Sequence, residues 1–143
     1  MTEDFVSFDL ARKLKEKVFS CEMPFAMYNE IGQFYLLTTS APYHVCESGY
    51  KYREYYNYED FDEHDYVAPT ISQVLNWLRK EKKILVVAAP EFLYREARYF
   101  WQCGIYKISF LPNVILFHKF IDYQESHESA ILAGIEYVID NLI

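Results

Sequence analysis

The order of helix-like and strand-like segments is the sequence feature that most restricts the fold. A predicted helix near the N-terminus is followed by a group of strand-like segments, a second helix, three more strand-like segments and a last helix. The last three strand-like segments have short connections, which favours antiparallel neighbours, because parallel neighbours need crossovers of about a dozen residues or more. This order predicts an α+β fold, a mainly antiparallel sheet with three helices packed on it, in the order α-ββ-(ββ)-α-βββ-α.

Each predicted helix has an N-terminal capping residue. Ser7 is placed to cap the first helix, Thr70-Ile71-Ser72-Gln73 is a capping box, and Ser126 is placed to cap the last helix. The apolar stripes that follow at helical spacing are Phe8, Ala11, Leu14 and Val18 in the first helix, Ile71, Val74, Leu75 and Leu78 in the second, with Trp77 at its edge, and Ile131, Gly134, Ile135, Val138, Ile139 and Leu142 in the third. The glycine on the last stripe indicates either a close approach to a sheet or a tolerated glycine.

Two hairpins are predicted in the N-terminal half. Phe25–Tyr28 and Gln33–Thr39 flank a turn in which Gly32 supplies a positive φ angle. Residues 43–46 and 50–58 form the second predicted hairpin. Its period-two alternation places four tyrosines on one face, namely Tyr50, Tyr52, Tyr56 and Tyr58.

The strands of the C-terminal half are predicted from apolar runs. Ile84–Ala89 is short, apolar and rich in branched residues, which predicts a central strand covered on both faces and ended by Pro90. Residues 91–98 fit either a helical turn or an irregular loop. The remaining predicted strands, joined by a Pro-Asn turn, are Tyr99–Leu111 and Val114–Tyr123.

Length and composition favour one globular domain over residues 1–143. Hydrophobic residues make up 52% of the 143 residues and charged residues 24%, which disfavours intrinsic disorder. The longest aliphatic run is far shorter than the ~20 residues of a membrane-spanning helix, so no membrane association is expected. The three cysteines are far apart and form no CxxC pair, and the N-terminus is acidic, which together predict a reducing compartment, the cytoplasm.

The negative charge is concentrated in one segment. The net charge is −7, and residues 54–65 carry six acidic side chains and no basic ones. Seven of the 14 tyrosines fall in residues 43–66. An acidic chain is a poor general binder of nucleic acids, because phosphate neutralisation needs clustered Lys and Arg, so no direct nucleic-acid binding is expected. Residues 50–66, called the Tyr-rich acidic segment below, are the most unusual part of the sequence.

Three patches of sequence carry a family resemblance. They are Ser7-Phe8-Asp9-Leu10-Ala11 with Leu14-Lys15-Glu16-Lys17, Ala68-Pro69-Thr70 leading to Trp77-Leu78-Arg79, and Glu128-Ser129-Ala130 with Ala133-Gly134-Ile135. These patches resemble small uncharacterised proteins encoded by phages and prophages of gut bacteria. Val18 stands where that family usually has a glycine before phenylalanine. The resemblance implies a phage or mobile-element setting, and it implies no known activity, cofactor or catalytic residue.

Motifs for chemistry are weak in this sequence. A calcium loop starting at Asp60 would need glycine at its sixth position and glutamate at its twelfth, where Asp65 and Ile71 stand. His44 and Cys46 share one face of a predicted strand, but no further cysteine or histidine has a chelating spacing, so a buried apolar cysteine is favoured. The sequence contains no P-loop, GxSxG or HExxH pattern. No catalytic residue, metal ligand or cofactor is therefore assigned.

The Tyr-rich acidic segment supports a function in protein binding. Tyrosines are enriched at interfaces, and carboxylates beside them select a basic partner. The predicted contact residues, for a host protein as partner, are Tyr50, Tyr52, Tyr56, Tyr58, Asp60, Asp62, Glu63 and Asp65. The alternative for these tyrosines is a ladder that covers the protein's own sheet. A small enzyme using His118, Tyr106 and Glu125, an acidic nucleic-acid mimic, and homo-oligomerisation through surface apolar groups all stay open.

Overall fold

The computed structural model describes residues 5–21, 24–38, 51–54, 64–110 and 113–143. In these residues three α-helices and seven strands follow each other as α-ββ-ββ-α-βββ-α, which confirms the predicted α+β class and element order. The elements are α1 (Phe8–Glu16), β1 (Ala26–Tyr28), β2 (Phe34–Thr38), β3 (Lys51–Glu54), β4 (Tyr66–Val67), α2 (Ile71–Trp77), β5 (Ile84–Leu93), β6 (Arg98–Phe110), β7 (Asn113–Gln124) and α3 (His127–Asn141). They fall into two compact units, Met1–Gln73 and Val74–Ile143, and the prediction of a single domain stays a prediction.

Helix α1 begins and ends with identifiable backbone hydrogen bonds. Ser7 is the N-cap, as predicted, and its Oγ accepts a hydrogen bond from the Leu10 amide at 3.3 Å. At the other end, the Phe19 amide donates to the Leu14 carbonyl and the Val18 amide donates to the Lys15 carbonyl, which is the Schellman pattern. Val18 occupies the position of this motif that favours glycine, with φ at 59°, and its side chain is 82% exposed. The prediction that Val18 continues the apolar stripe is therefore wrong; Leu10 is buried instead.

The sheet of the first unit combines antiparallel and parallel pairs, in the order β3-β2-β1-β4. Strands β1 and β2 form the predicted hairpin, with Gly32 at φ 86°. Asn29 stabilises the turn, because its side-chain oxygen accepts hydrogen bonds from the Ile31 and Gln33 amides. Strand β3 pairs parallel to β2. Most of the second predicted hairpin, residues 43–46 and 50–58, lies outside the described residues.

Helix α2 starts at the predicted capping box. The Gln73 amide donates to the Thr70 hydroxyl at 3.2 Å, and the Thr70 amide donates to the Gln73 side-chain oxygen at 3.0 Å. The helix changes to a π-helical segment at Leu78–Lys82, which ends at Lys83 in the left-handed region. Trp77, predicted at the edge of the stripe, is buried together with Val74 and Leu78.

Strands β5, β6 and β7 form an antiparallel three-stranded sheet with β6 in the centre. The prediction that Ile84–Ala89 is a central strand ended by Pro90 is wrong on both points. In the described residues β5 is an edge strand, and it continues through Pro90 to Leu93. An edge strand tolerates proline because one side of its backbone needs no partner for an amide hydrogen. The strands over Tyr99–Leu111 and Val114–Tyr123 are confirmed to within one residue at each end.

Helix α3 covers one face of this second sheet. Ser126 is its N-cap, as predicted, and forms a capping box with Ser129. The buried stripe contains Ile131, Gly134, Ile135, Val138 and Ile139. A Cβ atom placed on Gly134 would clash with Cys103 Sγ and would lie 2.6 Å from Val86 Cγ1. Of the two alternatives for this glycine, the close approach to the sheet is the correct one.

Candidate functional site

The predicted contact residues lie almost entirely outside the part of the chain that the structure describes. Tyr50, Tyr56, Tyr58, Asp60, Asp62 and Glu63 fall in residues 39–50 and 55–63, and for Tyr52 only the strand backbone is described. The buried-or-exposed state of this tyrosine face therefore stays a prediction.

Asp65 is the one predicted contact residue with a described side chain. It is only 9% exposed, and its carbonyl oxygen accepts a hydrogen bond from Lys15 Nζ at 2.9 Å. The same Nζ lies 4.7 Å from the centroid of the Tyr66 ring, within the range of a cation–π interaction. The end of the Tyr-rich acidic segment is thus tied to α1, and Asp65 contributes to the structure of the first unit.

The three residues of the enzyme hypothesis do not converge on one point. Tyr106 and His118 are cross-strand partners on β6 and β7, while Glu125 follows the end of β7 and is exposed. The Tyr106 ring lies over Gly104 and is edge-on to Phe120, with ring centroids 6.1 Å apart. Within the described residues, no group of three or more His, Cys, Asp or Glu side chains is arranged to hold a metal ion.

Cys103 is unsuited to nucleophilic chemistry. The side chain is buried against Gly134 and Val86, and burial raises the pKa of its thiol to about 11. The thiolate is the reactive form of cysteine, and burial in apolar surroundings suppresses it. Cys103 carries a free thiol.

An exposed group of aromatic side chains lies at the end of the β5–β6 hairpin. Phe92 is 38% exposed, Tyr94 87% and Tyr99 69%. The Phe92 ring centroid lies 4.9 Å from that of Tyr94 and 4.9 Å from that of Tyr99, so the three rings form one connected surface. We call Phe92, Tyr94 and Tyr99 the hairpin-end cluster.

The hairpin backbone positions this cluster. Leu93 and Arg98 form the cross-strand pair next to the turn, and Phe92 and Tyr99 form the following pair. The Glu96 amide donates to the Leu93 carbonyl at 3.2 Å, which closes the turn, and Ala97 completes it in the left-handed region at φ 48°. Tyr94 is therefore presented at the first position of the turn, beside the Phe92 and Tyr99 pair.

The charged side chains at the end of the β5–β6 hairpin balance each other. The exposed acids there are Glu91 and Glu96, and the exposed bases are Arg95 and Arg98. Arg98 forms an ion pair with Glu96. The hairpin end therefore presents aromatic rings without an excess of either charge.

From the sequence, residues 91–98 fit either a helical turn or an irregular loop, whereas in the structure β5 runs to Leu93 and β6 begins at Arg98. A usable signal was present, because aromatic residues on both sides of a short charged stretch suit a hairpin with an exposed end. Pro90 obscured this signal, since proline is a frequent strand terminator.

No protein-family profile, curated protein or solved structure matches the chain. Among the helices of the described residues, none combines the length and the apolar character needed to cross a membrane.

Proposed function

We propose that the chain is a non-catalytic protein-binding protein of phage or mobile-element origin, which binds a host protein in the bacterial cytoplasm. The hairpin-end cluster carries the proposal, because three connected aromatic rings are exposed at the end of a hydrogen-bonded β-hairpin. Tyrosine in particular combines a large contact area with a polar group, and it is enriched among the residues that dominate binding energy.

The charge at the hairpin end supports a protein as the partner. Glu91 and Glu96 balance Arg95 and Arg98 there, and Arg98 is paired with Glu96. Binding to a nucleic acid or to an anionic membrane surface needs an excess of Lys and Arg, and the hairpin end carries no such excess. The Tyr-rich acidic segment combines tyrosines with carboxylates that select a basic partner, and we propose it as a second contact region.

The contribution of the hairpin-end cluster is tested by capture from the lysate of a gut bacterium. The wild-type chain, a Tyr94→Ser/Tyr99→Ser variant and an Ile31→Ser control are immobilised, and bound proteins are quantified by mass spectrometry. Ile31 is a large apolar side chain exposed elsewhere, in the β1–β2 turn. We expect a host protein that is enriched by the wild type and the control and reduced at least about tenfold by the tyrosine variant.

A second variant tests the acidic segment separately. Asp60→Asn, Asp62→Asn and Glu63→Gln remove three charges and leave the buried Asp65 in place. A weaker, salt-dependent capture is expected, because rim charges chiefly change the association rate. If the tyrosine variant and the acidic variant both capture the same proteins in the same amounts as the wild type, the proposed function is wrong.

A further inference from the structure

The second sheet has a face that α3 does not cover. Val86 and Cys103 face α3, since their side chains approach Gly134. Neighbouring residues along a strand point to opposite faces, so Val87 and Gly104, which are cross-strand partners, lie on the other face together with Phe120, the partner of Gly104 on β7. We call this the open face. Its apolar residues on the three strands are Leu85, Val87, Ala89, Gly104, Tyr106 and Phe120.

The open face is apolar where a solvated sheet face is normally polar. An antiparallel sheet with one face in water alternates apolar and polar residues along each strand. Strand β5 does not alternate, because the outward positions Leu85, Val87 and Ala89 are apolar like the inward ones. In the structure Val87 is nevertheless 48% exposed and Phe120 47%. The composition of the strand fits two covered faces, and α3 covers one of them.

The centre of the open face is aromatic and apolar. Gly104 carries no side chain, and the Tyr106 ring fills the space above it, since a Cβ atom on Gly104 would lie 2.9 Å from Tyr106 Cε2. Phe120 meets that ring edge-on. His118 lies beside this centre, with its ring 5.9 Å from that of Phe120, and Asp122 accepts a hydrogen bond from Gln102 on the same face. An apolar, aromatic centre with polar groups beside it is the composition of an interface core with its rim.

We infer that the open face is the interface of a homodimer, in which the second sheets of two copies pack face to face. The three strands have 10, 13 and 12 residues, so the face measures about 40 Å by 14 Å, or about 550 Å² per copy. Two copies would bury about 1,100 Å² in total, which exceeds the roughly 1,000 Å² expected of a biological interface. Sheets in face-to-face packing interdigitate such alternate side chains over a core about 10 Å thick.

The molecule that covers the open face is a second copy of the chain, because a second copy is present wherever the chain is. A continuous apolar strand exposed to water is an aggregation hazard for a monomer, and a self-complementary contact about a two-fold axis closes after two copies. Extension by edge pairing is disfavoured on the β5 side, because Pro90 lacks the amide hydrogen that a neighbouring strand would use. The open face is separate from the hairpin-end cluster, so the two proposals stand or fall independently.

The oligomeric state of the full chain tests this inference. Light scattering coupled to gel filtration is expected to give about 34 kDa at high micromolar concentration, twice the 17.1 kDa of one chain. Phe120→Lys and Val87→Lys each place a charge at the centre of the interface, and each is expected to raise the dimer dissociation constant about 30-fold. Both positions are about half exposed in one chain, so the fold of the monomer should be retained.

The control is Ile31→Lys, which places the same charge on an exposed apolar position of the first unit and should leave the dimer intact. Circular dichroism confirms that each variant is folded, and Val87→Lys decides the question if Phe120→Lys does not fold. A wild-type chain that stays at the monomer mass over the whole concentration range overturns the inference. So does a dimer that both lysine variants leave as stable as the wild type.

Discussion

The two units cover their aromatic side chains to different extents. In the first unit Phe5, Phe8, Tyr28, Phe34 and Tyr66 form a chain of ring contacts, with centroids 5.3 to 5.5 Å apart. In the second unit Phe92, Tyr94 and Tyr99 are in equally close contact and remain exposed. Ring contact is common to both clusters, and the first cluster is half-buried whereas the second is exposed.

The difference follows from what lies opposite each cluster. In the first unit α1 places Phe8 over Gly32, and the Tyr28 hydroxyl donates a hydrogen bond of 2.7 Å to the Val6 carbonyl. Burial raises the pKa of Tyr28 above its usual value. In the second unit, α3 begins at His127, whose ring contacts that of Trp101. The hairpin-end cluster lies nearer to the hairpin turn than Trp101 does. The same residue types therefore stabilise the first unit and form a surface on the second.

The largest expected effect is a loss of stability when one phenylalanine in each cluster is replaced by alanine. Phe8→Ala should lower the free energy of unfolding by about 2 kcal/mol, because it removes ring contacts with Tyr28 and Tyr66 from a half-buried side chain. Phe92→Ala should lower it by less than about 1 kcal/mol, since its ring is already partly in water. Urea unfolding of the two variants measures both values. Equal losses would contradict the distinction between a stabilising and an exposed cluster.

A smaller effect is expected at the helix ends, where each unit holds a residue other than glycine in the left-handed region. Val18→Gly should raise the free energy of unfolding by about 1 kcal/mol, because a β-branched side chain is disfavoured at φ 59° and this one buries little. Lys83→Gly should change it by less than about 0.5 kcal/mol, since lysine is unbranched and its Nζ donates to the Lys80 carbonyl. Thermal or urea unfolding compares them. A destabilised Val18→Gly variant would show that this helix end differs from the Schellman geometry.

A loss of similar size is expected for one of two tyrosine hydroxyl groups and no loss for the other. Tyr28→Phe should cost about 1 kcal/mol, the net value of one hydrogen bond, because the Val6 carbonyl loses its donor. Tyr99→Phe should leave stability unchanged within about 0.5 kcal/mol, as is usual for a surface substitution. Both changes remove one hydroxyl group, so they serve as each other's control in urea unfolding. A loss at Tyr99 as large as that at Tyr28 would mean that the hairpin-end cluster also stabilises the fold.

Local signals predicted most of the second unit and the helix starts. Ser7, Thr70 and Ser126 cap helices as expected, because a cap involves residues only three positions apart. The β6–β7 pair was predictable because its strands are adjacent in the chain. The strand pairs of the first unit that join elements distant in the chain were not predictable. Strand β1 pairs with β4 about 40 residues later, through Met27 and Val67, and the alternation of side chains within one strand carries no information on its partner.

The sequence by itself determined the α+β class, the order of elements, the helix caps and the glycine turn at Gly32. These depend on spacing and on backbone preferences that act over a few residues. Only the tertiary structure decided which apolar residues are covered. Ile84–Ala89 has the composition of a doubly covered strand, yet its place at the sheet edge and the single covering helix leave Val87 exposed. Burial depends on which elements pack together, and no short stretch of sequence specifies that.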